Sequence, residues 1–123
     1  MNYSLDTAED LLLVTVHVDT SAALALELVE RVAAAGASID ARGYLVDMRA
    51  TRDTASSLAD YDLAYHDLEA AGMPRSARIA LLLDEVDDSR SFFVTVALNA
   101  GYSLQVFHDE QAALSWLRQA PKW

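Results

Sequence analysis

Side chains able to do chemistry are few and scattered along this chain of 123 residues. Three histidines, His17, His66 and His108, could serve as bases or ligands. A catalytic base needs partners in a set geometry, and nothing in the spacing brings a partner to any of them. His17 and His108 fall near carboxyl ends of predicted strands, where α/β proteins place their sites. His66 follows Asp62 by one helical turn and reads as half of a surface pair. No serine stands in a nucleophile-elbow pattern. An enzyme using His17 or His108 therefore ranks last, and no catalytic residue is assigned. Asp47 ends a strand-like run, as a phosphoacceptor would. Such a site also needs an early acidic pair and a lysine after the last strand, and the one lysine is Lys122 in the tail. Asp47 is read instead as a partner of the following turn, of Arg49 or of Arg52.

Asp84, Glu85, Asp87 and Asp88 offer the oxygen ligands that calcium or magnesium prefers. Their spacing matches no dedicated loop, so the run reads as a solvated connection between strand and helix, and no metal is assigned. The four glycines, Gly36, Gly43, Gly72 and Gly101, do not cluster, and no Gly-Lys-Ser/Thr occurs. Phosphate-cradling loops, and the cofactors they hold, are therefore not expected.

One stretch could welcome a ligand or a partner. Arg49, Thr51, Arg52, Asp53, Thr54, Ser56 and Ser57 surround the predicted start of a helix. Free N–H groups and the positive end of the helix dipole favour an oxyanion there. The plainer reading is a capped helix with an Arg–Asp pair. Tyr61, Tyr65, Phe92 and Phe93 are aromatics at helical spacing. They suit a core stripe, or a pocket between helices lined by Tyr61, Tyr65 and Phe93.

The totals narrow the classes. Hydrophobic residues make up 53%, which excludes a disordered chain. No apolar run nears the roughly 20 residues of a membrane helix, and no signal-peptide pattern opens the chain. The absence of cysteine excludes disulfides and thiolate sites and suits a reducing cytoplasm. Nineteen acidic residues against nine basic give a net charge of −10. That field repels nucleic acid and anionic membranes.

The elements that must position these residues follow in order. Asn2–Leu5 and Leu11–Val18 read as a hairpin across the polar turn 6–10. A first helix, capped by Asp19 or Thr20, runs to about Ala35 with Leu24, Leu28 and Val32 inward and Glu27 and Arg31 paired outside. Gly36 suits the left-handed position after it. Gly43–Arg49 is the central strand, its nearly continuous apolar run of Tyr44, Leu45, Val46 and Met48 that of a strand covered on both faces or buried mid-sheet. A second helix, capped by Thr54 or by Ser57 with Asp60, turns Leu58, Tyr61, Tyr65 and Leu68 inward and ends at Gly72 and Pro74. Ala77–Leu83 is a buried strand. Ser89–Ala100 is a third helix with Phe92, Phe93, Val96, Ala97 and Ala100 as its apolar face, stopped by Gly101. Ser103–Phe107 is the last strand. Asp109 caps a last helix that carries Ala113, Trp116 and Leu117 inward, and Pro121 marks a tail. The order β-β-α-β-α-β-α-β-α predicts one α/β domain over residues 1–123. Its sheet is mixed but mostly parallel, of four or five strands, with the first strand antiparallel at an edge and about four helices.

Three stretches carry a family resemblance. Tyr44-Leu45-Val46-Asp47-Met48-Arg49 is followed by Ala77-Arg78-Ile79-Ala80-Leu81-Leu82. Then comes Val106-Phe107-His108-Asp109-Glu110, with Ala113-Leu114-Ser115-Trp116-Leu117 behind it. In this order, over nearly the whole chain, they resemble the SpoIIAA-like proteins of the STAS/SEC14-like group. The resemblance implies a small wound sheet and a non-enzymatic regulatory module. Family members that antagonise anti-sigma factors carry a phosphorylatable serine in an Asp-Ser-Ser-Gly sequence after the central strand. The similar positions here are Ala55, Ser56, Ser57 and Leu58, so Ser56 matches while the acid and the glycine are absent. The expected partner is a protein docking around the start of the second helix. The alternative is a carrier or sensor of a small apolar, lipid-like ligand. A homodimer is also compatible, through an edge strand or an aromatic helix face.

Overall fold

The computed structural model describes residues 2–119; Pro121 and Lys122 lie outside the described residues. Five strands form one sheet in the order β1-β2-β3-β4-β5: β1 (Tyr3–Ala8), β2 (Leu11–Val16), β3 (Gly43–Asp47), β4 (Arg78–Leu82) and β5 (Ser103–Phe107). β1 runs antiparallel to β2, and every later pairing is parallel. The mixed sheet, its antiparallel edge and the central place of β3 are as expected. The hairpin is tighter than expected. β1 extends to Ala8, and Glu9 at φ 58° makes the turn with Asp10.

Each parallel pair is joined by a helix. α1 (Ala22–Ser38) links β2 to β3, and α4 (Ser91–Asn99) links β4 to β5. Between β3 and β4 the chain forms α2 (Ser57–Asp62), a π-helical turn (Leu63–Asp67) and α3 (Leu68–Ala70), which follow one another without a break as a single helix. α5 (Glu110–Arg118) closes the described chain. Right-handed crossovers between neighbours in sequential order put the linking helices on one face of the sheet. α5 takes the other.

The strand pleat divides the core accordingly. Leu12, Val14, Tyr44, Val46, Ile79 and Leu81 face the linking helices. Leu11, Leu45, Ala80 and Leu82 face α5, where they meet Ala113 and Leu117. β3 is covered on both sides, which is why its sequence is a continuous apolar run.

Several local expectations are corrected. Ser21, not Asp19 or Thr20, caps α1, its Oγ accepting from Leu24 N–H at 3.1 Å. α1 continues past Gly36 to Ser38. Gly36 is a packing position inside the helix: a Cβ there would sit 2.1 Å from the Tyr44 hydroxyl. The left-handed residue after α1 is Asp40, at φ 50°. Glu27 accepts the Tyr3 hydroxyl at 2.8 Å. α4 starts at Ser91, with Phe92 exposed and Phe93 half-buried.

The largest correction concerns the second helix. Leu58 is 71% exposed and Tyr61 is exposed as well. The inward stripe is Asp60, Ala64 and Leu68. Leu58 and Tyr61 thus face out, Tyr65 packs half-buried against the core, Leu68 is buried as expected, and an aspartate faces in.

Candidate functional site

The three connections at the carboxyl ends of β2, β3 and β4 meet on one side chain, Arg90. Its side chain is 4% exposed. Nη1 donates to the Thr51 carbonyl at 3.1 Å and to Asp87 Oδ2 at 2.9 Å. Nη2 donates to Thr20 Oγ1 at 2.6 Å and to Thr51 Oγ1 at 3.2 Å. The four bonds occupy both terminal nitrogens. A guanidinium fork suits this task, because one rigid plane reaches three loops.

The loops are cross-tied around it. Thr20 N–H donates to the Arg52 carbonyl at 2.9 Å, and Thr54 N–H to the Thr20 carbonyl at 2.9 Å. Arg52 N–H donates to Asp19 Oδ1 at 2.9 Å. Asp53 N–H donates to the Ser89 hydroxyl at 2.9 Å, which in turn donates to Asp87 Oδ1. Thr20 and Asp53 also form an isolated parallel bridge. Asp87 therefore does not belong to a solvated acidic loop. Burial would push its carboxyl up, but hydrogen bonds from Ser89 and the charge of Arg90 outweigh this and hold it below the usual carboxylate range. Asp84, Glu85 and Asp88 do face solvent. No group of metal-binding side chains occurs among the described residues.

Outside this knot the β3–α2 segment is exposed. Arg52 reaches Asp88 at 3.1 Å on the surface. Ser56 is the N-cap of α2, its Oγ accepting from Ala59 N–H at 3.1 Å. The predicted caps Thr54 and Ser57 have other places: Thr54 Oγ1 donates to the Thr20 carbonyl, and Ser57 is the first helical residue. Arg49 holds Asp47 with two guanidinium bonds, 3.0 and 2.8 Å long, and also donates its N–H. Burial raises Asp47, and these bonds more than offset it, so the carboxyl lies below its ordinary value.

Asp60 stands at the inner edge of the site, 6% exposed. Burial pushes its carboxyl up, and a hydrogen bond and the charge of Asp53 push it further; Arg90 offsets only part, and the result is about 7. Asp60 therefore keeps its proton nearly to neutrality beside the carboxyl of Asp53. Next to this pair lies a cavity of about 110 Å³ under α1. Its walls are apolar (Leu28, Val46, Leu81 and Phe93 among them), and Thr20, Asp53, Asp60 and Arg90 form one polar end.

The sequence matches no family model and no curated protein. The architecture does find a counterpart. A crystal structure of an anti-sigma factor antagonist from Mycobacterium paratuberculosis superposes with a TM-score of 0.59, covering 95% of this chain and 93% of that one at 13% identity. The chain has the fold of that anti-sigma factor antagonist. The SpoIIAA-like resemblance thus holds at the level of the fold.

Within this antagonist fold the sequence-predicted residues separate into groups. Arg49, Arg52, Thr54, Ser56 and Ser57 are exposed along the β3–α2 segment, while Thr51 is buried and Asp53 half-buried beneath it. Tyr61 and Tyr65 stack on each other with centroids 4.7 Å apart and do not border the cavity; Phe93 does. The histidines stay apart. His17 shares a 3.2 Å hydrogen bond with Ser4, and His108 Nδ1 donates to the Leu83 carbonyl at 3.0 Å. His66 is exposed, and no bond joins it to Asp62 among the described residues. Arg90 went unnoticed in the sequence, and Asp60 reads there only as a capping partner of Ser57 on the outward face. Arg90 had one available signal, an arginine three residues after Asp87 at a helix start. Asp60 had none, since an acid beside tyrosines reads as the outward face.

Proposed function

We propose that this chain is a non-enzymatic regulatory module that works by protein contact, docking through Arg49–Leu58 and the outer face of the second helix. The observation that carries this is the contrast within one segment. Thr51 and Asp53 are tied into the buried Arg90 network, while Arg52, Ser56 and Leu58 point outward. A surface held from beneath pays little ordering entropy on binding. The antagonist fold supports the same reading and suggests an anti-sigma factor as the partner. Ser56 matches the family's phosphorylatable serine, at an exposed helix N-cap. A phosphate there would add about two negative charges to the docking surface. Ala55 and Leu58 replace the acid and glycine of the family sequence, so the serine would be read by a different kinase surface. The module is taken as one domain acting in the cytoplasm; among the described residues no helix is long and apolar enough to cross a membrane.

The test is calorimetric titration of the purified chain against the anti-sigma factors of its own organism. Binding that is lost with Arg52→Glu, and kept with Arg118→Glu on the opposite face of the sheet, supports the proposal. Binding insensitive to Arg52→Glu, or no binding to any of them, refutes it.

A further inference from the structure

Docking through the β3–α2 segment makes no use of the cavity beneath α1. Packed interiors seldom leave a void much larger than a water molecule, and this one measures about 110 Å³. An engineered apolar cavity of about 150 Å³ takes up benzene, whereas drug-sized pockets start near 300 Å³. The space therefore suits one small molecule and is too small for a lipid chain.

The polar end settles what kind of molecule. Its charged groups are Asp53, Asp60 and Arg90, with Asp87 behind Arg90. α1 contributes only Ala25, Leu28, Val29 and Val32 to the wall, and the strands contribute only apolar residues and Tyr44. Two carboxyls, Asp53 and Asp60, thus line the cavity beside one guanidinium, whose terminal nitrogens are already taken by Thr20, Thr51 and Asp87, and Asp87 also meets Arg52 at 3.7 Å. An anion would find no free terminal N–H on Arg90 and would meet two carboxyls opposing it. Asp60 is nine-tenths buried, and the carboxyl of Asp53 beside it pushes its own carboxyl up. Neither Asp53 nor Asp60 forms an ion pair among the described residues, so these two carboxyls lack a cation of their own.

We propose that this cavity binds a small apolar amine, its ammonium group pairing with Asp53 and Asp60 and its hydrocarbon body lying among Leu28, Val46, Leu81 and Phe93. A groove between α1 and α2, lined by Ala22, Leu26, Ala55 and Ala59, shares Ala25, Asp60 and Leu63 with the cavity wall and is the side from which a ligand would enter. Leu63 opens the π-helical turn, a feature that occurs frequently at functional sites. This inference does not depend on the docking proposal, and either can fail alone.

The test is isothermal titration of the full chain with butylamine, butanol and butyrate, all small enough for a space below that of the benzene site. Butylamine binds most tightly of the three. Its affinity rises about tenfold between about pH 6 and about pH 8, because binding expels the proton that Asp60 holds in the free protein. Asp60→Asn weakens butylamine binding by about tenfold or more through loss of the charge-assisted bond. Asp53→Asn, a change at the half-buried rim, weakens it as well and guards against a folding defect in the first variant. Butanol or butyrate binding as tightly as butylamine overturns the proposal. So does the absence of any binding, or butylamine binding unchanged in both variants.

Discussion

Arg90 and Asp87 form an ion pair, 2.9 Å between Nη1 and Oδ2, in which both side chains are almost wholly buried. Removing one partner would strand the other charge, at a cost of about 3–5 kcal/mol. Arg90→Ala should lower stability by that order in urea unfolding, and the loops bearing Thr20 and Thr51 should lose amide protection in hydrogen exchange. A loss under about 1 kcal/mol would show that the knot does not hold the loops together.

Asp60 gives the protein an unusual pH dependence. Its carboxyl is raised to about 7 in the folded state, against about 3.9 when unfolded. The folded chain therefore binds more protons across that window. Stability should fall as pH rises from about 4 to about 7 and level off above, by a few kcal/mol from this group. Asp60→Asn should flatten the fall when urea midpoints are measured across pH. A wild-type curve that rises over the same window would contradict the raised carboxyl.

Leu58 and Leu68 are both leucines of the second helix, with opposite fates. Leu58→Ser should change stability by less than about 0.5 kcal/mol, as exposed positions do. Leu68→Ala, at a buried position, should cost about 2–5 kcal/mol. Equal costs would place Leu58 inside after all.

Gly36 is packed against the ring of Tyr44, with Cε2 2.6 Å and Cζ 2.7 Å from an added Cβ. Alanine is the better helix former, by about 1 kcal/mol. Gly36→Ala should nevertheless destabilise, by about 1–3 kcal/mol, because overpacking outweighs propensity. Thermal unfolding decides the sign.

Ser56 and Ser57 separate by role. Ser56→Ala removes the α2 cap and should cost about 1 kcal/mol, while Ser57→Ala should be nearly neutral. Equal effects would mean that the helix start is capped elsewhere.

The alternation of strand and helix was legible because each buries its apolar face with its own period. β3 could be recognised as central because cover on both faces demands a continuous apolar run. Leu24, Leu28 and Val32 were recognised as buried for the same reason, and Asp109 as the cap of α5. Ends were less legible: Asp19, Thr20 and Ser21 are all good caps, and the winner depends on how the chain leaves β2.

The sequence by itself determined the order of strands and helices along the chain, the antiparallel edge and the segment that lies open at the start of the second helix. These follow from periodicity and short connections, which act within a few residues. Tertiary structure alone decided that Gly36 is a contact and not a helix stop, that Tyr61 faces outward, and that Asp60 faces inward. It also decided that Arg90 ties three loops together. Each of these depends on a group distant in sequence, Tyr44 for Gly36 and Thr20 and Thr51 for Arg90. A buried charge is tolerable only when its partners are in place, and partners brought by separate strands leave no pattern along the chain.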